Sequence, residues 1–204
     1  ADLVLELPTV WAVSSAETFA RGAVELLAAA QVVDVLSFGS ECGDADKLRR
    51  AAICLNSPEY EAGLRRFVEG GTPFAAARQR AVEGLLGPEL AELLSTPNNN
   101  LGVEYIRALD RLNHEIWPMT IRREGAPHDS LLLGTERPRF CSATQLRAYL
   151  GREDWAALEP YLPKNGLEVL RAGWSSFPGL ERAERGLLAR LRTMSPAEFA
   201  SLPA

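Results

Sequence analysis

The chain has 204 residues, of which 47% are hydrophobic and 24% charged, with a formal net charge of −5. Such a composition is that of an ordinary globular protein with one domain or one and a half. No apolar stretch approaches the roughly 18 residues that span a bilayer, and the acidic N-terminal segment does not resemble a secretory signal. Three cysteines without a CxxC pair argue against a disulfide framework or a cysteine zinc site, so we expect a cytoplasmic protein.

Charge is unevenly distributed along the chain. Residues 1–100 hold 8 basic and 14 acidic side chains, whereas residues 101–204 hold 14 basic and 13 acidic ones. Six arginines but only three acidic residues lie between residues 122 and 152. Arginine suits bidentate phosphate contact, so this segment is a candidate for binding an anion. A solvated loop in an arginine-favouring protein is the alternative, since only two of the 22 basic residues are lysine.

The first elements predict a βαβ unit. The apolar run at residues 3–5 is typical of a buried strand, and Ser14 with Glu17 has the spacing of a capping box that opens a helix. Residues 32–38 form a second, β-branched run, which Gly39 ends. Strand, helix and strand in this order predict two parallel strands joined by a right-handed crossover.

A helical insertion is expected from about residue 44 to 94. Two helix starts are predicted within it, at Ser57-Pro58 and Thr72-Pro73. In each pair a capping residue precedes a proline at the first helical position. Residues 97–100 are predicted to be a loop that caps a helix beginning near Leu101.

The second half of the chain begins with strand character at residues 115–121, followed by a long polar loop, 122–141. A second capping box, Ser142 to Gln145, opens a helix that carries Arg147. From Arg152 onward the pattern is helical. The predicted fold is therefore α/β, with a helical insertion and a helical C-terminal tail.

Three segments should meet at the carboxyl ends of the strands, where open parallel sheets bind ligands. They are residues 38–41, residues 121–123 and residues 142–147. The glycine of the first admits close approach, the second carries paired arginines, and the third is a helix N-terminus suited to phosphate. A turn glycine, a surface basic pair and a plain helix cap are the structural alternatives. Together the three segments predict an anionic ligand without identifying it.

Other chemistry-bearing residues are less informative. His114 and His128 have no neighbours that would complete a metal cluster, so we predict no metal site, and the catalytic residues stay unknown. No Walker loop, GxGxxG or GxSxG motif occurs. The four tryptophans are expected to pack rather than to stack on bases. Asn98–Asn100 either cap a helix or read a nucleobase edge or ribose.

Six motifs, in order, carry a resemblance to a known family. They are DLVLELP (2–8), SAETFARGAV (15–24), FGSE (38–41), PNNNLGVEY (97–105), TIRR (120–123) and CSATQLR (141–147). This set resembles bacterial tRNA(Met) cytidine acetate ligases, a family similar to the nucleotidyltransferases of the HIGH superfamily. The resemblance extends from residue 1 to about 150 and continues more loosely beyond.

The resemblance implies a Rossmann-like parallel sheet of the nucleotidyltransferase type in a domain of residues 1–150, with the helical region 151–204 behind it. Gly39, Asn98 and Arg123 correspond to ATP-contacting positions of the family. The segment SATxxR resembles a phosphate-binding motif at a helix start, which makes the polyphosphate candidates Ser142, Thr144 and Arg147.

The implied reaction uses ATP, with Mg²⁺, and acetate. Acetate attacks the α-phosphate to give acetyl-adenylate and pyrophosphate, and the wobble cytidine of elongator tRNA(Met) then takes the acetyl group and releases AMP. The protein's share would be positioning and charge neutralisation.

One departure from the family concerns the start of the chain. Family members begin with a strand and a histidine-x-glycine-histidine segment that grips ATP, and this sequence begins after it; the C-terminal region also looks cut short. We therefore expect the 204-residue chain alone not to form acetyl-adenylate, which hydroxamate formation with ATP, acetate and hydroxylamine would contradict. The missing strand would expose a sheet edge and favour association.

Two other functions stay open at the level of the sequence. One is a different nucleotidyltransferase that adenylates a cofactor precursor by the same chemistry. The other is a non-catalytic module that binds a nucleotide or tRNA. Binding of tRNA that weakens steeply with salt would favour the ligase over the first of these. The oligomeric state is not predicted.

Overall fold

The computed structural model describes residues 2–112, 115–124, 140–175 and 180–201, with side chains from Glu184 onward in the last range. His114 and His128, and most of the predicted loop 122–141, lie outside these residues. The chain divides into two compact units, Ala1–Glu124 and Gly125–Ala204. The predicted domain limit near residue 150 stays a prediction.

The first unit combines helices with a short parallel sheet. Its helices are α1 (Thr9–Ala12), α2 (Ala16–Ala29), α3 (Ala45–Leu55), α4 (Pro58–Glu69), α5 (Phe74–Leu86), α6 (Pro88–Glu92), a 3₁₀ turn (Leu93–Ser95) and α7 (Pro97–Leu109). Its strands are β1 (Val35–Ser40) and β2 (Trp117–Arg122). The predicted helical insertion is therefore present, as four α-helices and the 3₁₀ turn.

The two strands pair in parallel, in a register that runs from Val35 opposite Trp117 to Ser40 opposite Arg122. Parallel neighbours need a long crossover, and here α3 to α7 supply it. Because the strands are parallel, both carboxyl ends lie at the same edge of the sheet. The α/β class and the two strands near residues 32–38 and 115–121 are confirmed.

The strand predicted at residues 3–5 is not formed. Residues 2–8 have no regular secondary structure, and Leu3 and Val4 are 68% and 82% exposed. A strand requires a hydrogen-bonded partner, and in the described part of the chain β1 pairs with β2 alone. The βαβ connection therefore joins β1 to β2, and it does not involve residues 3–5.

Three predicted helix starts are displaced. The smallest shift is at α5, which begins at Phe74, so Pro73 and not Thr72 has the N-cap position. Ser14 is not the cap of α2, because its hydroxyl donates to the carbonyl of Trp11, while Ser15 accepts from the backbone N–H of Thr18. α7 begins at Pro97 and not near Leu101, so the asparagines form its first turn and no loop. Proline suits a first helical position, where its missing N–H costs no hydrogen bond.

The main core lies among the crossover helices, and Phe38 of β1 packs against it. Leu48, Val103 and Ile106 are fully buried in it. A Cβ added to Gly102 would lie 2.7 Å from a ring carbon of Phe38, so α7 passes in direct contact with β1. This packing places the first turn of α7 beside the carboxyl end of β1.

The regular secondary structure in the described residues of the second unit is all helical. Its helices are α8 (Ala143–Gly151), α9 (Trp155–Leu158), a 3₁₀ turn (Glu159–Tyr161), α10 (Lys164–Gly173), α11 (Leu180–Thr193) and α12 (Pro196–Ala200). Ser142 caps α8 as predicted. None of the helices in the described ranges combines the length and apolarity that crossing a bilayer requires.

Candidate functional site

The ends of β1 and β2 form the base of the candidate site. Arg123 follows β2 directly, and its backbone N–H donates to the carbonyl of Ser40 at 2.9 Å, which extends the ladder by one step. The side chain of Arg123 then crosses over Gly39. A Cβ at Gly39 would lie 3.2 Å from Cγ of Arg123, closer than side chains normally approach. Glycine at this position therefore leaves room for the arginine stem.

Asn98, on the first turn of α7, connects Arg123 to Glu41. Nη1 of Arg123 donates to Oδ1 of Asn98 at 3.0 Å, and Nδ2 of Asn98 donates to Oε1 of Glu41 at 2.6 Å. Among the described residues no other partner of the Arg123 guanidinium is seen, and the side chain is exposed. No described residue therefore occupies its remaining N–H groups, which suit an anion or a polar ligand.

Glu41 caps α7 from outside the helix. Its Oε2 accepts from the backbone N–H of Asn99 at 2.7 Å, and its Oε1 accepts a longer bond, 3.3 Å, from the N–H of Asn98. Thr96, the residue in the N-cap position, makes no side-chain cap. The carboxylate therefore occupies the place at the positive end of the helix dipole that an external anion would otherwise take.

The ionisation of Glu41 reflects this environment. Partial burial by itself would raise its pKa. The hydrogen bonds from the side chain of Asn98 and from the backbone N–H groups of Asn99 and Asn98 outweigh burial, and they hold the pKa of Glu41 below its ordinary value. Glu41 is therefore a carboxylate, with no proton to donate, at neutral pH.

The loop that carries Glu41 is fixed by buried hydrogen bonds. Asn99, only 3% exposed, accepts from the N–H of Cys42 at 3.0 Å. The buried hydroxyl of Ser40 accepts from Thr120 Oγ1 at 2.6 Å and from the N–H of Gly43 at 2.9 Å. Gly43 has a φ of +63°, a conformation that glycine adopts without strain. These hydrogen bonds thus fix the backbone that carries the site residues of the first unit.

The remaining predicted residues lie in the second unit, at the start of α8. Ser142 is 2% exposed and accepts from the N–H of Gln145 at 3.1 Å. Nη2 of Arg147 donates to Oγ1 of Thr144 at 3.2 Å across the first turn. The structure thus gathers the six predicted residues into two groups: Gly39, Asn98 and Arg123 in the first unit, and Ser142, Thr144 and Arg147 in the second.

Two residues beside the first group, Glu41 and Asn99, have roles that the sequence did not assign. Glu41 stood in a motif that was chosen for its glycine, and Asn99 in a triplet that was expected to be a loop. The one available signal was position, because a carboxylate directly after a strand lies where helix N-termini gather in α/β proteins. Within the described ranges, no group of three histidine, cysteine or acidic side chains is arranged to hold a metal ion.

Comparison with known proteins places this geometry in a family. The model of the family described as HIGH Nucleotidyl Transferase matches residues 1–204. The tRNA(Met) cytidine acetate ligases of Thermoanaerobacter sp. (strain X514) and Caldanaerobacter subterraneus subsp. tengcongensis are 38% and 39% identical to the chain over 201 and 203 residues. These alignments cover 96% and 97% of the chain, and 49% and 50% of the two relatives. The chain thus spans about half the length of the curated relatives that it matches.

Solved structures agree with the sequence relatives. Thermotoga maritima TmcAL bound with alpha-thio ATP superposes with a TM-score of 0.71 at 34% identity, over 83% of this chain and 40% of the other. The apo form of TmcAL gives a TM-score of 0.74, again over 83% of this chain, and 41% of the other. The fold and the ordered motifs have the same origin: the chain belongs to the HIGH nucleotidyl transferase family.

Proposed function

We propose that this chain supplies nucleotide-contacting residues to an ATP-dependent tRNA(Met) cytidine acetate ligase, which forms N4-acetylcytidine at the wobble position of elongator tRNA(Met). One observation carries the proposal. Gly39, Asn98 and Arg123, the positions that the resemblance assigns to ATP, lie in one contiguous group at the carboxyl ends of two parallel strands. The names of the relatives and the alpha-thio ATP complex of TmcAL support it.

The chemistry falls into two balanced steps. An acetate oxygen attacks the α-phosphorus of ATP and expels pyrophosphate, giving acetyl-adenylate. The N4 amine of cytidine then attacks the acetyl carbonyl, loses a proton and releases AMP. ATP reacts as its Mg²⁺ complex, and the enzyme acts in the cytoplasm.

Positioning and charge are what the described residues contribute. Arg123 is exposed, has N–H groups free of described partners, and has its head held by Asn98. A preorganised guanidinium loses little freedom when it binds an anion, which favours binding and orientation of a nucleotide. In this proposal Gly39 admits the arginine stem and Asn98 fixes its head.

The start of α8 is the proposed contact for the polyphosphate. A helix start presents backbone N–H groups at a positive dipole end, and Thr144 and Arg147 add a hydroxyl and a cation at this one. At the start of α7, by contrast, the carboxylate of Glu41 already occupies the N–H groups of Asn98 and Asn99. Phosphate binding is therefore favoured at α8 over α7.

The function is tested in the host by genetics and nucleoside mass spectrometry. Deleting the gene should remove N4-acetylcytidine from elongator tRNA(Met). The gene with Arg65→Ala, an exposed arginine of α4, should restore the modification, whereas the gene with Arg123→Ala should not. Unchanged N4-acetylcytidine after the deletion would overturn the proposal and leave another nucleotidyltransferase or a binding module.

A further inference from the structure

We propose that Glu41 is a positioning residue: it fixes the orientation of the Asn98 amide, and through it holds the guanidinium of Arg123 ready for the nucleotide. The inference rests on the proposed function for its consequence in ATP binding. Its structural part, the orientation of an amide in the free protein, does not depend on any ligand.

The two neighbours of Asn98 leave its amide one favourable orientation. A carboxylate accepts hydrogen bonds and cannot donate, and a guanidinium donates and cannot accept. The NH₂ of Asn98 therefore faces Glu41 at 2.6 Å, and its oxygen faces Arg123 at 3.0 Å. A flipped amide would place oxygen against carboxylate and NH₂ against guanidinium, and would lose both bonds.

Glu41 is itself held firmly enough to act as the fixed end of the hydrogen-bonded series Glu41–Asn98–Arg123. It accepts three hydrogen bonds, two of them from backbone N–H groups of α7. Those N–H groups belong to a helix start that packs on β1 through Gly102 and Phe38. Without the carboxylate, Asn98 would keep one polar neighbour, and Arg123, an exposed and flexible side chain, would lose its restraint.

The neutral amide also separates two charges that would otherwise neutralise each other. Glu41 and Arg123 both bond to Asn98, and no direct ion pair between them is seen among the described residues. Arg123 thus keeps its charge for a ligand while Glu41 sets its direction through a neutral link. A direct Arg123–Glu41 pair would compete with an anionic ligand for the guanidinium.

The experiment compares side-chain amide signals in the free chain with ATP affinity. Glu41→Gln should shift and broaden the Asn98 NH₂ signals in a ¹⁵N spectrum, and should weaken ATP binding roughly tenfold, the effect of one hydrogen bond to a charged group. In an Asn98→Ala background, Glu41→Gln should have no further effect on ATP affinity. Glu83→Gln, an exposed acid of α5, is the control and should change neither readout.

A double variant that exchanges the carboxylate and the amide between positions 41 and 98 separates the positioning role from simple misfolding. Asn98→Asp alone puts two carboxylates together and should weaken ATP binding, whereas Glu41→Gln with Asn98→Asp restores a donor facing an acceptor. The double variant should therefore recover the unfolding free energy that Asn98→Asp loses, while ATP affinity stays low because the new carboxylate neutralises Arg123. Failure of this recovery, or an equal effect of Glu41→Gln with and without Asn98, would overturn the positioning role.

The two proposals fail in different ways. If the Asn98 signals move in Glu41→Gln but Arg123→Ala leaves ATP affinity unchanged, the amide is oriented as inferred and the proposed nucleotide site is wrong. If Arg123→Ala weakens ATP binding and the Asn98 signals do not respond to Glu41→Gln, the site stands and the positioning role is wrong.

Discussion

At the scale of single residues, the site depends on side chains that restrict one another. Gly39 makes room for Arg123 because it has no Cβ, and the stem of Arg123 passes 3.2 Å from where a Cβ would lie. Asn98 matters for having a donor and an acceptor on one planar group, which lets it link a carboxylate to a guanidinium. In the proposed site none of these residues would bind a nucleotide strongly alone, and the proposed interaction depends on their arrangement.

Gly39→Ala tests the passage of the arginine stem. The added methyl should displace Arg123 by a few tenths of an ångström and weaken ATP binding several-fold, because charge-assisted hydrogen bonds depend steeply on geometry. Isothermal titration calorimetry measures the affinity. Gly84→Ala on α5 is the matched control, since nothing beyond its chain neighbours and its own helix backbone lies within 4 Å of the new methyl. Equal affinities for the two variants would show that the close approach is irrelevant to binding.

The lowered pKa of Glu41 predicts a pH dependence of stability. A carboxylate whose folded pKa lies below its ordinary value of 4.5 contributes stability that is fully present above pH 4.5 and is lost as the pH falls through the folded pKa. Unfolding free energy should therefore decline from about pH 4.5 downward, and less so in Glu41→Gln. Urea titrations between about pH 3 and 6 measure it, and parallel curves for the two proteins would contradict the assignment.

At the scale of elements, α7 joins the core to the site. Its first turn carries Asn98 and Asn99, and its middle packs on β1 through Gly102 and Phe38. The rings of Phe38 and Tyr105 add a tilted contact, with centroids 5.5 Å apart. A shift of α7 along β1 would therefore move Asn98 relative to Arg123, and site geometry and core packing are linked.

Gly102→Ala should show this link. The methyl would lie 2.7 Å from a ring carbon of the partly buried Phe38 and 3.2 Å from Cδ1 of the fully buried Leu48. Overpacking of this kind costs about 1–3 kcal/mol in unfolding free energy, which urea denaturation measures. ATP affinity should fall as well, because Phe38 precedes Gly39. Stability equal to that of Gly84→Ala would show that the contact relaxes freely.

At the scale of the whole molecule, a buried ionic network ties the helices of the first unit together. Glu104 on α7 is 2% exposed and pairs with Arg78 of α5 and with Arg107, the latter at 2.8 Å. Arg107 also donates to Asn56 at 3.0 Å and lies 3.8 Å from Glu17 of α2. Burial makes this carboxylate costly to leave alone and the two arginines costly to leave without it.

Glu104→Gln should therefore destabilise the protein strongly. Removing the charge leaves the largely buried Arg78 without an ion pair among the described residues and leaves Arg107 only Glu17, at 3.8 Å. Breaking a buried pair costs about 3–5 kcal/mol. Glu83→Gln on α5, which removes an exposed carboxylate, should change stability by less than about 0.5 kcal/mol. Chemical denaturation of both variants decides the matter, and a loss below about 1 kcal/mol for Glu104→Gln would mean that water or relaxation satisfies the arginines.

Local sequence determined the features that depend on interactions between residues close together in the chain. The β-branched run near residue 35 became β1, and the run near residue 117 became β2, because short-range pattern favours a strand where a partner strand is present. Ser142 capped α8 as predicted, since a cap and the N–H that it accepts lie three residues apart. The ordered motifs also identified the family, because each is a short contiguous string.

Tertiary structure alone decided what distant residues do to one another. Residues 3–5 have the composition of a strand, yet they form none, because a strand depends on a partner elsewhere in the chain. Glu41 and Asn98 are separated by 57 residues, and only the parallel crossover from β1 through α7 brings the carboxylate onto the helix start. Hydrogen bonds and packing across such separations follow from the fold, and no local pattern encodes them.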